Sequence, residues 1–512
     1  MNTLKKLVLS AGLLAVACAG SAQAQISGTP TYVRITGSTA YRAAVHEALL
    51  NLLTGISGTG NPQVAYNGSN LAGANQAIFY GEYTPSGGSA IPLVVKTSWN
   101  GSVGGIKCLT QNVVLSQTVS STAVSLWLAD GNITAGTDTA QPGPQSVDPN
   151  TFPGGGAGIL NYKPCTQSNG SGGTIATTHA GSAISGASTT IGDWEPLNNQ
   201  VADVGFSDAF QNTTLYPSTN IGATAETTTG AGAIVGLVDF IWIKNAATTG
   251  DQDYAAWQRL TNVTPNLLKQ LYTIGHAPIS LFTGNSADYP GATVYAIGRD
   301  EDSGTRINAY AEDYFGVNGS PKQYYLSALG TSPSTLGGSV TSGSLSLFPA
   351  QTVEGTSEPI GHSGFSSGGK VGAEMSTVGT DGVGISTRAY FVTYIGLDDA
   401  TSFLNATSSV TGYVNGARLT WNGVDFDANG PQKIEQGEYS FWSYEHMYYR
   451  TGSITAGGQT VGALSSVNPN AQTLADALAT DLNTTDELVA SGVPLSAMQV
   501  SRTVEGGPIT HN

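Results

Sequence analysis

The stretch 298-GRDEDSGTRINAYAEDYFG-316 joins one arginine, three consecutive acids and a Ser-Gly-Thr turn to a segment with helical spacing. Ile307, Tyr310, Ala311 and Tyr314 recur at the intervals of one helix face, so a buried stripe is predicted after the turn. A charged loop feeding a helix N-terminus is the feature the rest of the chain has to explain.

Working outward, the same grammar recurs. In 36-TGSTAYRAAV-45 a Gly-Ser-Thr turn follows the β-branched run 31-TYVRITGS-38, and Tyr41, Ala44, Val45, Ala48, Leu49 and Leu52 trace a second stripe. In 99-WNGSVGGIKCL-109, Gly101, Ser102, Gly104 and Gly105 do likewise. Ser207 and Asp208 end the run 202-ADVGFSD-208. A further helix is predicted in 265-PNLLKQLYTIG-275, with proline suited to the first turn and glycine to the stop. Strand-like runs also occupy 236-GLVDFIWIKN-245, 292-ATVYAIGR-299 and 388-RAYFVTYIGL-397. Strands alternating with helices point to an α/β fold with mixed, mainly parallel sheets.

A helix N-terminus exposes unpaired N–H groups and about half a positive elementary charge. It binds anions without lysines, glycine lets the backbone approach, and Ser or Thr adds donors. Several such turns meeting in one place would form an oxyanion site.

Composition sets limits. The chain has 512 residues, 11% of them charged, 67 glycines and a net charge of −16, enough length for more than one domain and a sign unsuited to nucleic acid or anionic membranes. Residues 1–24, with Lys5, Lys6 and an apolar run from Leu7 to Ala17, read as a secretory signal ending at Ala24, which places the mature chain in the periplasm or outside the cell. Cys18 leaves with that segment. Cys108 and Cys165 remain, either as a disulfide or as two separately buried thiols, and spacing does not decide between them. Residues about 111–200 and 326–363 are Gly/Ser/Thr-rich insertions, the first with hairpin character in 112-NVVLSQTVSSTAVSLWLAD-130.

The order of these segments resembles the phosphate-binding substrate proteins of ABC importers, in the type II periplasmic binding protein superfamily, over most of residues 30–510. "RDEDSGTR" is similar to their Arg-x-acid-x-Ser-Gly-Thr loop, "GSVGGIK" to their Ser-containing Gly-Gly-x-Lys turn, and "VGFSDA" to their Ser-Asp strand end. "LTNVTPNLLKQLYTIG" resembles the helix before the Arg loop. The resemblance implies a two-lobed α/β fold: residues 25–240 plus 385–512 as one lobe, carrying the β-rich insertion, and 245–385 as the other, with crossings in 236–245 and 382–394. It implies that Ser38, Thr39, Ala40, Ser102, Gly104, Asp208, Arg299, Ser303, Gly304 and Thr305 surround phosphate or a similar oxyanion, with Glu301 holding Arg299. Glu301 stands where the family has aspartate, and Ala40 where it often has an aromatic residue. An ABC importer is the implied partner, a monomer the implied state, and no cofactor, metal or nucleic acid is expected.

Rivals are weaker on the residues. The six histidines show no metal-ligand spacing and no His-Glu-x-x-His occurs, so an enzyme is not expected; "HE" at 46 and 47 reads as solvated helix surface. 425-DFDANG-430 starts like a calcium loop, but position twelve is Gln436 and Glu435 comes one place early. The low charge and long insertions also suit a surface adhesin built on a binding-protein fold.

Overall fold

Strand β1 (Thr31–Gly37) buries Val33 and Ile35, whose branched side chains pack on a pleated surface. The structure is a computed structural model and describes residues 30–55, 62–66, 71–119, 122–125, 127, 166–168, 174–176, 201–222, 230–288, 291–340, 345–353, 356–380, 388–426, 431–484, 493 and 495–512. Residues 1–24, Cys165, residues 427–430 and most of 111–200 lie outside this set. The predicted hairpin is present as Ser116–Val119 against Thr122–Ser125.

The remaining strands of the main sheet are β2 (Gln63–Tyr66), β3 (Gln76–Tyr83), β4 (Ile91–Ser98), β5 (Val204–Ser207), β6 (Ala233–Lys244), β7 (Asn262–Val263), β8 (His276–Pro278), β9 (Thr293–Ala296), β10 (Tyr390–Gly396), β11 (Ala417–Trp421) and β12 (Trp442–Tyr449). Every run read as a strand is one. Their order is β8-β9-β10-β6-β12-β5-β1-β4-β3-β2, with β11 on β6 and β7 on β11. The sheet is mixed: β5-β1-β4, β9-β10 and β7-β11 are parallel, while the hairpins and the ladders of β6 are antiparallel.

β6 ties the halves together. Its Ala233–Asp239 portion pairs with β12, and its Phe240–Lys244 portion with β10 and β11. Of the stretch 382–394, expected to cross back, residues 382–387 lie outside the described set and the rest enters β10, which stands beside β9; β10 and β11 are built onto the second group of strands. The chain rejoins the first group only at β12, which pairs with β5.

Seven helices matter below: α1 (Arg42–Leu52), α2 (Ser102–Thr110), α3 (Pro265–Ile274), α4 (Gly304–Glu312), α5 (Gly368–Ser376), α6 (Leu397–Leu404) and α7 (Pro469–Thr484). α3 has the predicted bounds, with Pro265 in its first turn and Gly275 at φ 92. α4 stops short of prediction: Tyr314 adopts φ 56 and is exposed, because the Asp313 carboxylate accepts from the Phe315 amide at 2.9 Å and turns the chain.

His46 and Glu47 are buried, contrary to the surface reading: the His46 ring packs against Phe79 of β3 and Trp99 just after β4, and α7 also packs on α1. The His46 Nδ1 bonds the Leu71 carbonyl at 2.8 Å and Nε2 receives the Trp99 indole N–H at 3.0 Å, a set that assigns the neutral tautomer. Burial pushes this imidazole down to about 3. Among the described residues no helix is long and apolar enough to cross a membrane.

Several buried acids lean the other way. Burial pushes Glu374 and Asp313 up to about 8. Because the folded protein holds these protons more tightly than the unfolded chain, their contribution to stability is complete below the ordinary carboxyl range and is lost as pH rises through 8. The melting temperature is therefore expected to fall between pH 5 and pH 8, and Glu374→Gln to flatten that slope; scanning calorimetry showing a rise over this range would contradict it.

Candidate functional site

The ends of β1, β4 and β5 are bound into one corner. Gly37 has φ 119, and a Cβ there would lie 2.0 Å from the Phe206 carbonyl oxygen, so no side chain fits. Its carbonyl accepts from the Gly101 amide at 2.9 Å, and the Ser38 amide donates to the Phe206 carbonyl at 2.9 Å. Three turns that are far apart in sequence thus leave the sheet at neighbouring points.

The loop 299–303 meets this corner. The Asp302 carbonyl accepts from the Val103 and Gly104 amides of α2 at 3.0 and 3.3 Å, and Lys107 Nζ lies 3.4 Å from the Asp302 carboxylate. Gly101, at φ 100, has no room for a Cβ, which would stand 2.3 Å from the same carbonyl. The first turn of α4 lies against Asp208 and Ser102: a Cβ on Gly304 would sit 1.6 Å from Asp208 Oδ1 and 2.7 Å from Ser102 Cβ. Asn308 Nδ2 donates to the Asp208 and Gly304 carbonyls at 2.8 and 3.0 Å, and the Ser443 hydroxyl donates to the Asp208 carbonyl at 2.7 Å.

Ser102, Gly104, Asp208 and Gly304 therefore lie together in this corner. Ser303 caps α4, its hydroxyl accepting from the Arg306 amide at 3.3 Å, and Thr305 is buried in the same turn. Ser38 and Thr39 are buried at the start of the first turn, and Ala40 faces Gly396 at the head of α6, its Cβ 4.0 Å from where a Gly396 Cβ would be.

Arg299 and Glu301 differ from expectation. The Arg299 guanidinium donates to the Phe365 and Ser366 carbonyls at 3.0 and 3.1 Å, while Glu301 accepts from Gln351 at 2.9 Å and from Ser363 at 3.3 Å. Backbone carbonyls, and not Glu301, hold the arginine: the chain at 365 runs alongside residue 299 as an isolated parallel bridge. Cys108 is a buried free cysteine that accepts from Asn100 Nδ2 at 3.4 Å, and burial pushes its thiol up to about 12.

Asp208 is the charged centre of the corner. It is buried, and its Oδ1 has no hydrogen-bond partner. Desolvation pushes its carboxyl up to about 6, opposed by the Ser102 hydroxyl and the Arg299 charge and reinforced by Glu505. Glu505 comes from the C-terminal segment and accepts from the Phe210 amide. Neither Glu505 nor Glu445 of β12 was picked out from the sequence. Glu445 left a usable signal, an acid inside the otherwise apolar and aromatic run around 442-WSYEHMYY-449, buried on both faces. Glu505 left none, since a loop acid near a chain end looks like any solvated one.

No family model and no curated protein matches the chain. Two solved structures are similar to it: an ABC-type phosphate transport receptor from Vibrio cholerae, at 9% identity and a TM-score of 0.26, with 55% of this chain and 77% of that one covered; and a possible phosphate binding protein from Planctomyces limnophilus DSM 3776, at 9% identity and a TM-score of 0.27, with 83% and 82% covered. The likeness is distant, at the level of the fold, and carries no functional weight.

Proposed function

We propose that the chain is an exported binding protein whose two lobes close on phosphate or a related protonated oxyanion, for delivery to an ABC importer. One lobe would hold β1 to β5 with β12, the other β7 to β11, and β6 would span them. The importer rests on the resemblance of the Arg loop alone. No covalent step belongs to this function.

A single observation carries it: a buried carboxylate oxygen without a partner stands where Ser102 at the head of α2 and Gly304 at the head of α4 meet. Two helix N-termini aimed at one point favour an anion. A carboxylate there repels any anion that has no proton to share. Inorganic phosphate keeps at least one proton near neutrality, because its last ionisation lies far above that pH, whereas sulfate is fully ionised. An unpaired buried acceptor facing sulfate would cost about 1–3 kcal/mol.

Binding would exchange one partner for another. The Asp302 carbonyl now accepts from the Val103 and Gly104 amides, so the 299–303 loop has to withdraw before anion oxygens take that place. Hinge motion about β6 would supply the movement. Arg299, held by carbonyls of 365 and 366, would act through its field on Asp208.

Titration calorimetry with phosphate and sulfate tests this. Phosphate is expected to bind, and sulfate more weakly by about tenfold or more. A net charge of −16 repels anions at long range, so capture depends on dipoles within a closed cleft, where a Debye length of about 8 Å at physiological salt matters little. Phosphate affinity is accordingly expected to change less than about threefold when salt is raised from low to physiological strength. Absence of heat with phosphate would overturn the assignment.

A further inference from the structure

Strand β12 brings a second acid to this corner. Glu445 is fully buried, and both of its carboxyl oxygens lack a hydrogen-bond partner. It stands opposite Gly236 of β6, where the Tyr41 phenol fills the space a side chain would take: a Cβ on Gly236 would lie 2.0 Å from Tyr41 Oη. That phenol donates to the Val235 carbonyl at 2.6 Å.

The groups facing Glu445 are Ser38 and Tyr41 from the turn into α1 and Asp208 from the turn after β5; β6 offers Gly236, and none of these is a cation. Two carboxyls in one water-poor space cannot both ionise without large cost. Asp208 has the Ser102 hydroxyl and the Arg299 charge to favour its anion, and Glu445 has only the Ser38 hydroxyl beside it. The proton therefore resides on Glu445, a placement consistent with burial pushing that carboxyl well above its ordinary range.

Resting on the oxyanion-binding function above, we propose that Glu445 is a second ligand-facing acid, which stays protonated and donates a hydrogen bond to one anion oxygen while Asp208 accepts one from the anion's hydroxyl. The pair selects guests that carry a hydroxyl and a bare oxygen on one centre, such as phosphate or arsenate. Sulfate lacks the hydroxyl, and neutral boric acid lacks the bare oxygen.

Calorimetry with inorganic phosphate on wild type, Glu445→Gln and Glu445→Leu tests the contact, with circular dichroism as a check on folding. Glutamine keeps a neutral donor, so its affinity is expected to stay within about threefold of wild type, while leucine loses about 10- to 100-fold. Infrared difference spectroscopy of the ligand-free protein tests the proton: a protonated-carboxyl band at pH 8 that Glu445→Gln removes. Equal phosphate affinity in wild type and Glu445→Leu would overturn the contact and leave the oxyanion function standing. Failure of wild type itself to bind phosphate would overturn both, and an unchanged infrared band in Glu445→Gln would overturn the protonated state.

Discussion

Asp208→Asn is expected to lose most of the discrimination between phosphate and sulfate. A hydrogen bond to a charged group contributes about 1.5–3 kcal/mol, so removing the carboxylate should weaken phosphate by about 10- to 100-fold. Sulfate should gain over the same change, because an amide N–H replaces a repelling oxygen. The carboxyl stands where burial has already pushed it up to about 6, so wild-type selectivity should fade as pH drops through that value and the group takes up its own proton. Calorimetry with both anions in both proteins decides the matter. Unchanged affinities for the two anions would remove Asp208 from the binding chemistry.

Gly304→Ala should show the second large effect, with a sign opposite to the usual one. In an ordinary helix this substitution stabilises by about 1 kcal/mol, because alanine has the better propensity. Here the new methyl would lie 1.6 Å from Asp208 Oδ1 and 2.7 Å from Ser102 Cβ, both on a different part of the chain. The closed arrangement cannot hold it, so α4 must stand away from α2. Overpacking of this kind costs about 1–3 kcal/mol of stability. Scanning calorimetry and small-angle scattering should show a lower melting temperature together with a larger radius of gyration. An alanine variant that is more stable than wild type would mean that the helix head does not press on Asp208.

Much of the local architecture was legible in the chain itself. Branched runs became strands, Pro265 and Gly275 bounded α3, and the Ser303 hydroxyl capped α4, because each depends on interactions within a few residues. The four hydroxyl-bearing turns were visible for the same reason. Errors began where a second element intervened. His46 and Glu47 read as solvated surface of α1, yet both are buried, the His46 ring against Phe79 and Trp99 of a later strand and loop. Tyr314 fits the stripe by spacing but lies past the point where Asp313 reverses the chain.

The candidate site divides in the same way. That Ser102, Asp208 and Gly304 offer a hydroxyl, a carboxylate and a close backbone amide could be read residue by residue, since these are properties of short segments. That they touch depends on β1, β4 and β5 ending side by side and on a long β6 holding the other strands against them. Partners for Arg299 and Glu301, and the approach of Glu445 to Asp208, were settled by tertiary packing alone. Burial and charge coupling act through space with no memory of sequence distance, so a carboxyl 237 positions away could alter the chemistry of Asp208 and leave no local trace in the residues around it.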